Sequence, residues 1–156
     1  MRAAGAGIPI DPITSGALVD ERRETSVDGI FACGNVLQVH DLVDYVSDEA
    51  EIAGIGAADF VRNRNSLGKT VPTVAANGVR YVLPQCVHTD SGEDIALFMR
   101  VTEPFRRVRF TVKSGETVLA TVQRLKAAPG EMEKIVLPVD KLKRADEPIV
   151  VSLEVL

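Results

Sequence analysis

The sequence has no tryptophan and only two cysteines, Cys33 and Cys86, which stand far apart. They form no CxxC pair and fall at no metal-ligand spacing. A disulfide scaffold would use more of them, so both read as reduced thiols packed as small apolar side chains, and no metal is expected. No run of about 18 apolar residues occurs, so no membrane-spanning helix is expected. The N-terminal stretch MRAAGAGIPIDPITSG carries one arginine but no apolar segment long enough for a secretory signal. A cytoplasmic setting is the resulting expectation. Strong positive charge is missing too. Residues 1–68 hold five Lys/Arg against eleven Asp/Glu, a balance of −6, and residues 69–156 hold thirteen against eleven, a balance of +2. Neither half is basic enough to suggest a nucleic-acid partner.

What is present is ordinary globular material, with 46% hydrophobic and 26% charged residues in a chain of 156. The charge asymmetry suggests two segments of different kind. Residues 8–28 are full of breakers: Pro9, Pro12, Thr14-Ser15-Gly16 and Asp28-Gly29. Short extended pieces at 8–10 and 17–20 read as a hairpin. Residues 30–33, Ile-Phe-Ala-Cys, show no polar alternation. The spacing predicts a short strand buried on both faces, of the kind found in parallel sheets. It ends abruptly at Gly34-Asn35, followed by a polar loop with His40 and Asp41.

In residues 41–64, Val43, Val46, Ala50, Ala53, Ala57 and Phe60 recur at three- and four-residue steps, which predicts an amphipathic helix. Glu49, Glu51, Asp59 and Arg62 lie off that stripe. Its small residues, with Gly54 and Gly56, suit close backbone packing. The stretch 63–69, NRNSLGK, reads as a linker. From about residue 70 the period becomes two. Alternating apolar positions predict strands around 79–83, 95–101, 107–113, 118–122, 135–139 and 149–155, with Ser114-Gly115 as a tight turn. The expected fold class is α+β, with an all-β, immunoglobulin-like sandwich over 70–156. Without tryptophan it is not an antibody-type domain.

Thr25-Ser26-Val27-Asp28-Gly29-Ile30-Phe31-Ala32-Cys33-Gly34-Asn35 resembles T-S-x-x-G-[IV]-[FY]-A-x-G-D. That stretch precedes the final helix of the FAD-binding domain in the pyridine nucleotide–disulfide oxidoreductase superfamily. Residues 1–66 are thus similar to the C-terminal segment of such a domain, a fragment of an α/β fold comprising a hairpin, a buried strand and a helix. Thioredoxin reductase-like proteins and opine- or amine-oxidising flavoprotein subunits offer the nearest likeness. A parallel strand delivers its C-terminal end to a ligand crevice. A glycine there lets backbone approach a cofactor, and a helix N-terminus offers free N–H groups.

The resemblance implies that Gly34, Asn35, Leu42, Val43 and Asp44 face FAD in the full-length protein, with Asn35 in the place usually held by Asp. It implies no FAD on this chain alone, because GxGxxG after a strand is missing and nothing here matches a site for the adenosine half. It also implies an oxidoreductase that moves electrons between NAD(P)H, an amine-type substrate or a thiol, the flavin, and a partner subunit. This chain would be its inactive C-terminal portion. Partners would be the rest of the flavoprotein or a partner oxidoreductase subunit, together with a second copy pairing through residues 30–61 as a homodimer.

No catalytic residue is assigned. His40 is the one candidate for proton transfer, against a simple place beside the helix cap. His88 reads as an exposed loop residue. Arg106, Arg107, Arg109 and Lys113 read either as a guarded edge strand or as a docking face for an acidic partner. A different class of function stays open, in which the β-sandwich is a non-catalytic interaction or assembly module.

Overall fold

The computed structural model describes residues 7–62 and 68–156. The described residues are α+β, mostly sheet with two helices. It divides into two compact units, Met1–Ser66 and Leu67–Leu156.

In the first unit, short polar side chains fold the backbone into turns instead of long strands. Asp11 Oδ1 accepts the N–H groups of Ile13 at 2.7 Å and Thr14 at 3.2 Å, an aspartate turn of the usual kind. The loop closes with Asp11 N–H on Gly16 O at 2.8 Å. Asp20 Oδ1 likewise accepts the N–H groups of Arg22 and Glu24, each at 2.9 Å. Three single antiparallel bridges tie the ribbon together: Ile10 to Ala17, Val19 to Thr25, and Glu24 to Phe31.

The last bridge corrects the expectation for residues 30–33. They are half-buried, and Phe31 pairs antiparallel with the segment just before it. The cause is local. Gly29 turns the chain with φ +76°, and Glu24 Oε1 holds the Gly29 N–H at 2.9 Å. Ile30-Phe31 therefore folds back on its own approach.

A single 3₁₀ turn, Gly34–Val36, leads to helix α1, Val43–Val61. The buried line on α1 is Glu49, Ala53 and Gly56. The buried line shares Ala53 with the expected stripe but is rotated towards Glu49 and Gly56: Ala50 is exposed, Ala57 half-buried and Val43 80% exposed. Phe60 packs edge-on to Phe31, with ring centroids 6.2 Å apart. Gly56 is a close-approach glycine. A Cβ there would lie 2.5 Å from Arg22 O and 3.1 Å from the Phe31 ring, whereas at Gly54 it would meet nothing. Gly56→Ala is thus expected to cost about 1–3 kcal/mol through overpacking. Gly54→Ala should gain up to about 1 kcal/mol of helix propensity. Thermal denaturation of both variants checks this, and the opposite order would refute the packing.

The second unit is built from β1 (Thr70–Ala75), β2 (Val79–Leu83), β3 (Cys86–His88), β4 (Ile95–Val101), β5 (Phe105–Ser114), β6 (Thr117–Ala127), β7 (Glu133–Leu137), helix α2 (Val139–Leu142) and β8 (Ile149–Val155). One sheet has the order β3-β1-β8-β5-β6, the other β2-β4-β7. Only β1 and β8 run parallel. Alternation along the strands explains the core. Val108, Phe110 and Val112 of β5 are fully buried and join Leu97 of β4, Leu137 of β7 and Val151 of β8 in one cluster fed by both sheets.

Three local readings change. The hairpin turn is Gly115-Glu116, since Ser114 pairs with Thr117 and Gly115 takes φ +52°. Val139 opens α2 instead of ending a strand, with its N–H on Asp94 Oδ1 at 2.9 Å. His88 ends β3 and is half-buried, so it is not an exposed loop residue. The expected linker at 63–69 falls mainly on residues 63–67, which lie outside the described residues.

Candidate functional site

A buried carboxylate organises the segment between the first unit's ribbon and α1. Glu49, on the inward line of the helix, has a fully buried side chain. Its Oε1 accepts Arg23 Nε at 3.2 Å. Its Oε2 accepts the Gly34 N–H at 2.7 Å and lies 2.9 Å from His40 Nε2. One side chain thus holds the Asp20–Glu24 turn, the start of the 3₁₀ turn and the loop before α1. Arg23 and His40 are buried with it, each side chain 1% exposed. Burial pulls the Arg23 guanidinium below its ordinary value, and Glu49, then Asp20 and Glu21, pull it back. Such a cluster is costly to bury and stands only while its charges stay paired.

The carboxylate also sets the chemistry of the imidazole. An ionised Glu49 can only accept, so Nε2 carries the proton towards it. In the neutral ring Nδ1 is then the acceptor. Nδ1 is buried and has no hydrogen-bond partner among the described residues. Gln38, two residues earlier, is 2% exposed, and neither its Oε1 nor its Nε2 has such a partner.

The residues assigned by motif lie along the outside of this framework. Gly34 is buried with φ +70°, a backbone that suits glycine. Asn35 follows it exposed, and its Oδ1 accepts the His40 N–H at 3.2 Å. Leu42 is the N-cap of α1 and supplies no side-chain cap. Val43 and Asp44 occupy the exposed first turn, where an acid suits the helix dipole. Val36, Val39, Leu42 and Val43 are all large apolar side chains left exposed, Val39 by 71%. Such a concentration marks a contact surface more often than chance exposure.

No family model, curated protein or solved structure matches this chain. The sequence reading brought Gly34, Asn35 and His40 to one loop but missed the residue that holds them. Glu49 was set aside as charged. Its spacing to Ala53, Gly56 and Phe60 (four, seven and eleven residues) is the signal that could have found it, because small residues on that face mark close packing. Arg23, 26 positions before Glu49, left no such trace.

Elsewhere, Cys33 and Cys86 are both half-buried. The basic cluster of β5 is divided. Arg109 pairs with Glu154 at 2.9 Å, while Arg106 and Arg107 are exposed. Arg107 takes φ +50°, an uncommon backbone for a residue with a Cβ. It lines a groove of about 390 Å³ with Gln123, Arg124, Leu125 and Leu156.

Proposed function

We propose that this chain is the C-terminal portion of an FAD-dependent oxidoreductase of the pyridine nucleotide–disulfide type, inactive by itself. Its first unit supplies the turn at Gly34-Asn35 and the helix-start part of the flavin site, and its second unit is an immunoglobulin-like sandwich. One observation carries the reading. In the register Thr25–Asn35, Gly34 is the left-handed, backbone-pinned residue. Asn35 comes out of it exposed, ahead of an uncapped helix start surrounded by exposed valine and leucine. That is the arrangement a ribityl chain and a flat ring need: a backbone close approach, a polar side chain and an apolar bed.

In this assignment FAD supplies the redox chemistry. Gly34, Asn35, Leu42, Val43 and Asp44 bind and orient it, and His40 sits behind them on Glu49. The exposed apolar side chains would be covered by the rest of the flavoprotein, a partner oxidoreductase subunit, or a second copy of this chain.

The experiment is flavin retention. The 156-residue chain should carry no stoichiometric FAD after gel filtration, since it offers no dinucleotide fingerprint; a yellow, saturated protein would overturn the reading. In a polypeptide extended upstream to include that fingerprint, Asn35→Ala should weaken FAD binding by about 0.5–1.5 kcal/mol. Asn35→Asp should be tolerated. Equal FAD content in wild type and Asn35→Ala would remove Asn35 from the site.

A second reading has its own support. The left-handed Arg107 beside Arg106, at the mouth of the groove on the second unit, suits a docking face for an acidic partner and a non-catalytic role. An upstream-extended polypeptide that binds no FAD would favour it.

A further inference from the structure

Arg107 holds a backbone that its strand does not require. Its φ of +50° is costly for a residue with a Cβ, yet β5 does not turn there. Pairing with β6 runs from Arg106 opposite Lys126 to Val108 opposite Arg124 without a slip. On the other side Val108 stays opposite Val155 of β8, and the Leu156 N–H holds Arg107 O at 2.7 Å. Strain kept in a strand clamped from both sides points to a use for the side chain. The Arg107 guanidinium has no partner among the described residues. The cations around it are taken: Arg109 by Glu154, Arg124 by Glu133 and Lys126 by Glu131. Arg107 also stands in the middle of a row. Level with it lie Leu125 of β6, 84% exposed, and Leu156 just past β8, 53% exposed. Strands are about 4.8 Å apart, so the two leucines flank the guanidinium across about 10 Å. Together with Gln123 and Arg124 these residues line the groove of about 390 Å³.

We propose that this groove binds an extended acidic peptide segment, with a carboxylate side chain on Arg107 and the aliphatic side chains two positions to either side against Leu125 and Leu156. The proposal rests on the docking reading of the second unit, not on the flavin reading, and names what the docked chain must carry. Charge complementarity selects the centre. A planar guanidinium without a partner takes a carboxylate on two parallel N–H donors. The flanks follow from strand geometry. In an extended segment, side chains at i, i+2 and i+4 face one way and span about 13 Å, enough to reach past both leucines. The exposed Gln123 amide offers a donor and an acceptor to the main chain of such a segment. An anionic lipid surface fits less well. Glu131, Glu133 and Glu154 neutralise their neighbours, leaving Arg106 and Arg107 uncompensated among the described residues. That charge suits one carboxylate, whereas lipid-binding segments cluster more cations.

The test uses the 156-residue chain and NMR shifts of residues 107, 123, 125 and 156. The probes are the acetylated, amidated pentapeptide LSESL, its neutral counterpart LSQSL, poly-glutamate and phosphatidylserine vesicles. LSESL is expected to shift these residues, and LSQSL to bind about tenfold more weakly. Leu125→Ala should weaken LSESL several-fold while leaving the fold intact. Arg107→Gly should weaken it about tenfold and at the same time raise the protection of β5 and β8 amides against hydrogen exchange, because glycine relieves the left-handed backbone. Those two changes together support the proposal, since a merely structural arginine would lose protection when replaced. A fall in protection therefore overturns it. So does equal binding of LSESL and LSQSL, or a response to the vesicles alone. If poly-glutamate shifts the groove and LSESL does not, the inference falls and the docking reading survives. If no probe shifts these residues, both fall.

Discussion

Glu49→Ala is expected to remove about 3–5 kcal/mol from the stability of the first unit. The loss is large because the mutation does not simply delete a bond. It leaves the Arg23 guanidinium, 1% exposed, as a buried cation without its nearest anion. It also frees the Gly34 N–H and His40 Nε2, so the 3₁₀ turn and the loop before α1 lose their common anchor. Glu49→Gln keeps the shape and one acceptor oxygen but loses the charge, so its cost should be smaller, about 1–3 kcal/mol. Amide exchange along Val43–Val61 measures both. If Glu49→Ala costs under about 1 kcal/mol, the cluster is not the organiser described here.

Phe110→Ala is expected to cost the second unit about 3–5 kcal/mol. Phe110 sits in β5 opposite Val122 of β6 and Leu153 of β8. Its ring is fully buried in the cluster that both sheets share. No neighbour can fill the volume without moving a strand, so a cavity remains. A small domain has about 5–15 kcal/mol in all, and a unit of this size belongs near the lower end. The variant should therefore be partly unfolded at room temperature. Leu125→Ala is the control, since Leu125 is 84% exposed and should change stability by no more than about 0.5 kcal/mol. Urea denaturation followed by exchange in β5 and β8 distinguishes them. A small loss at Phe110 would mean that the two sheets do not close over it.

The β-strands were the most legible part of the chain, for a physical reason. A strand with one face on a core needs apolar residues at every second position, and Val108-Phe110-Val112 or Ile95-Leu97-Met99 cannot hide that pattern. β1 was harder to see because Pro72 interrupts it, at the point where it pairs with Cys86 of the three-residue β3. Val139 was misread because an apolar residue just after a strand looks like its continuation. Pro138, extended at ψ 146°, instead starts a helical turn.

The first unit was less legible. Four apolar residues in a row, such as Ile30–Cys33, fit a doubly buried strand and a half-buried bridge equally well, and periodicity cannot separate them. The helix was found, but its inward face was set by excluding charges. Glu49 belongs on that face only because Arg23, Gly34 and His40 meet it there, and that meeting exists only in the folded chain. Gly34 and Asn35 were readable from a local motif. Gln38 was not, since a glutamine looks the same in a sequence whether its amide is solvated or buried unpaired.

The position of β8 has a kinetic consequence. It lies between β1 and β5 in the five-stranded sheet. It pairs in parallel with β1 through Thr73 and Ile149, across nearly the whole length of the unit. The β5–β6 hairpin closes over a two-residue turn and can form within microseconds. The β1–β8 pairing must first overcome the entropy of a much longer loop. Until β8 arrives, β1 and β5 each present an open edge, and the apolar side chains of β5 stay wet. Folding of this unit is therefore slowed by the return of a distant strand to the middle of its sheet. During that interval its bare edges are the surfaces most open to pairing with another chain.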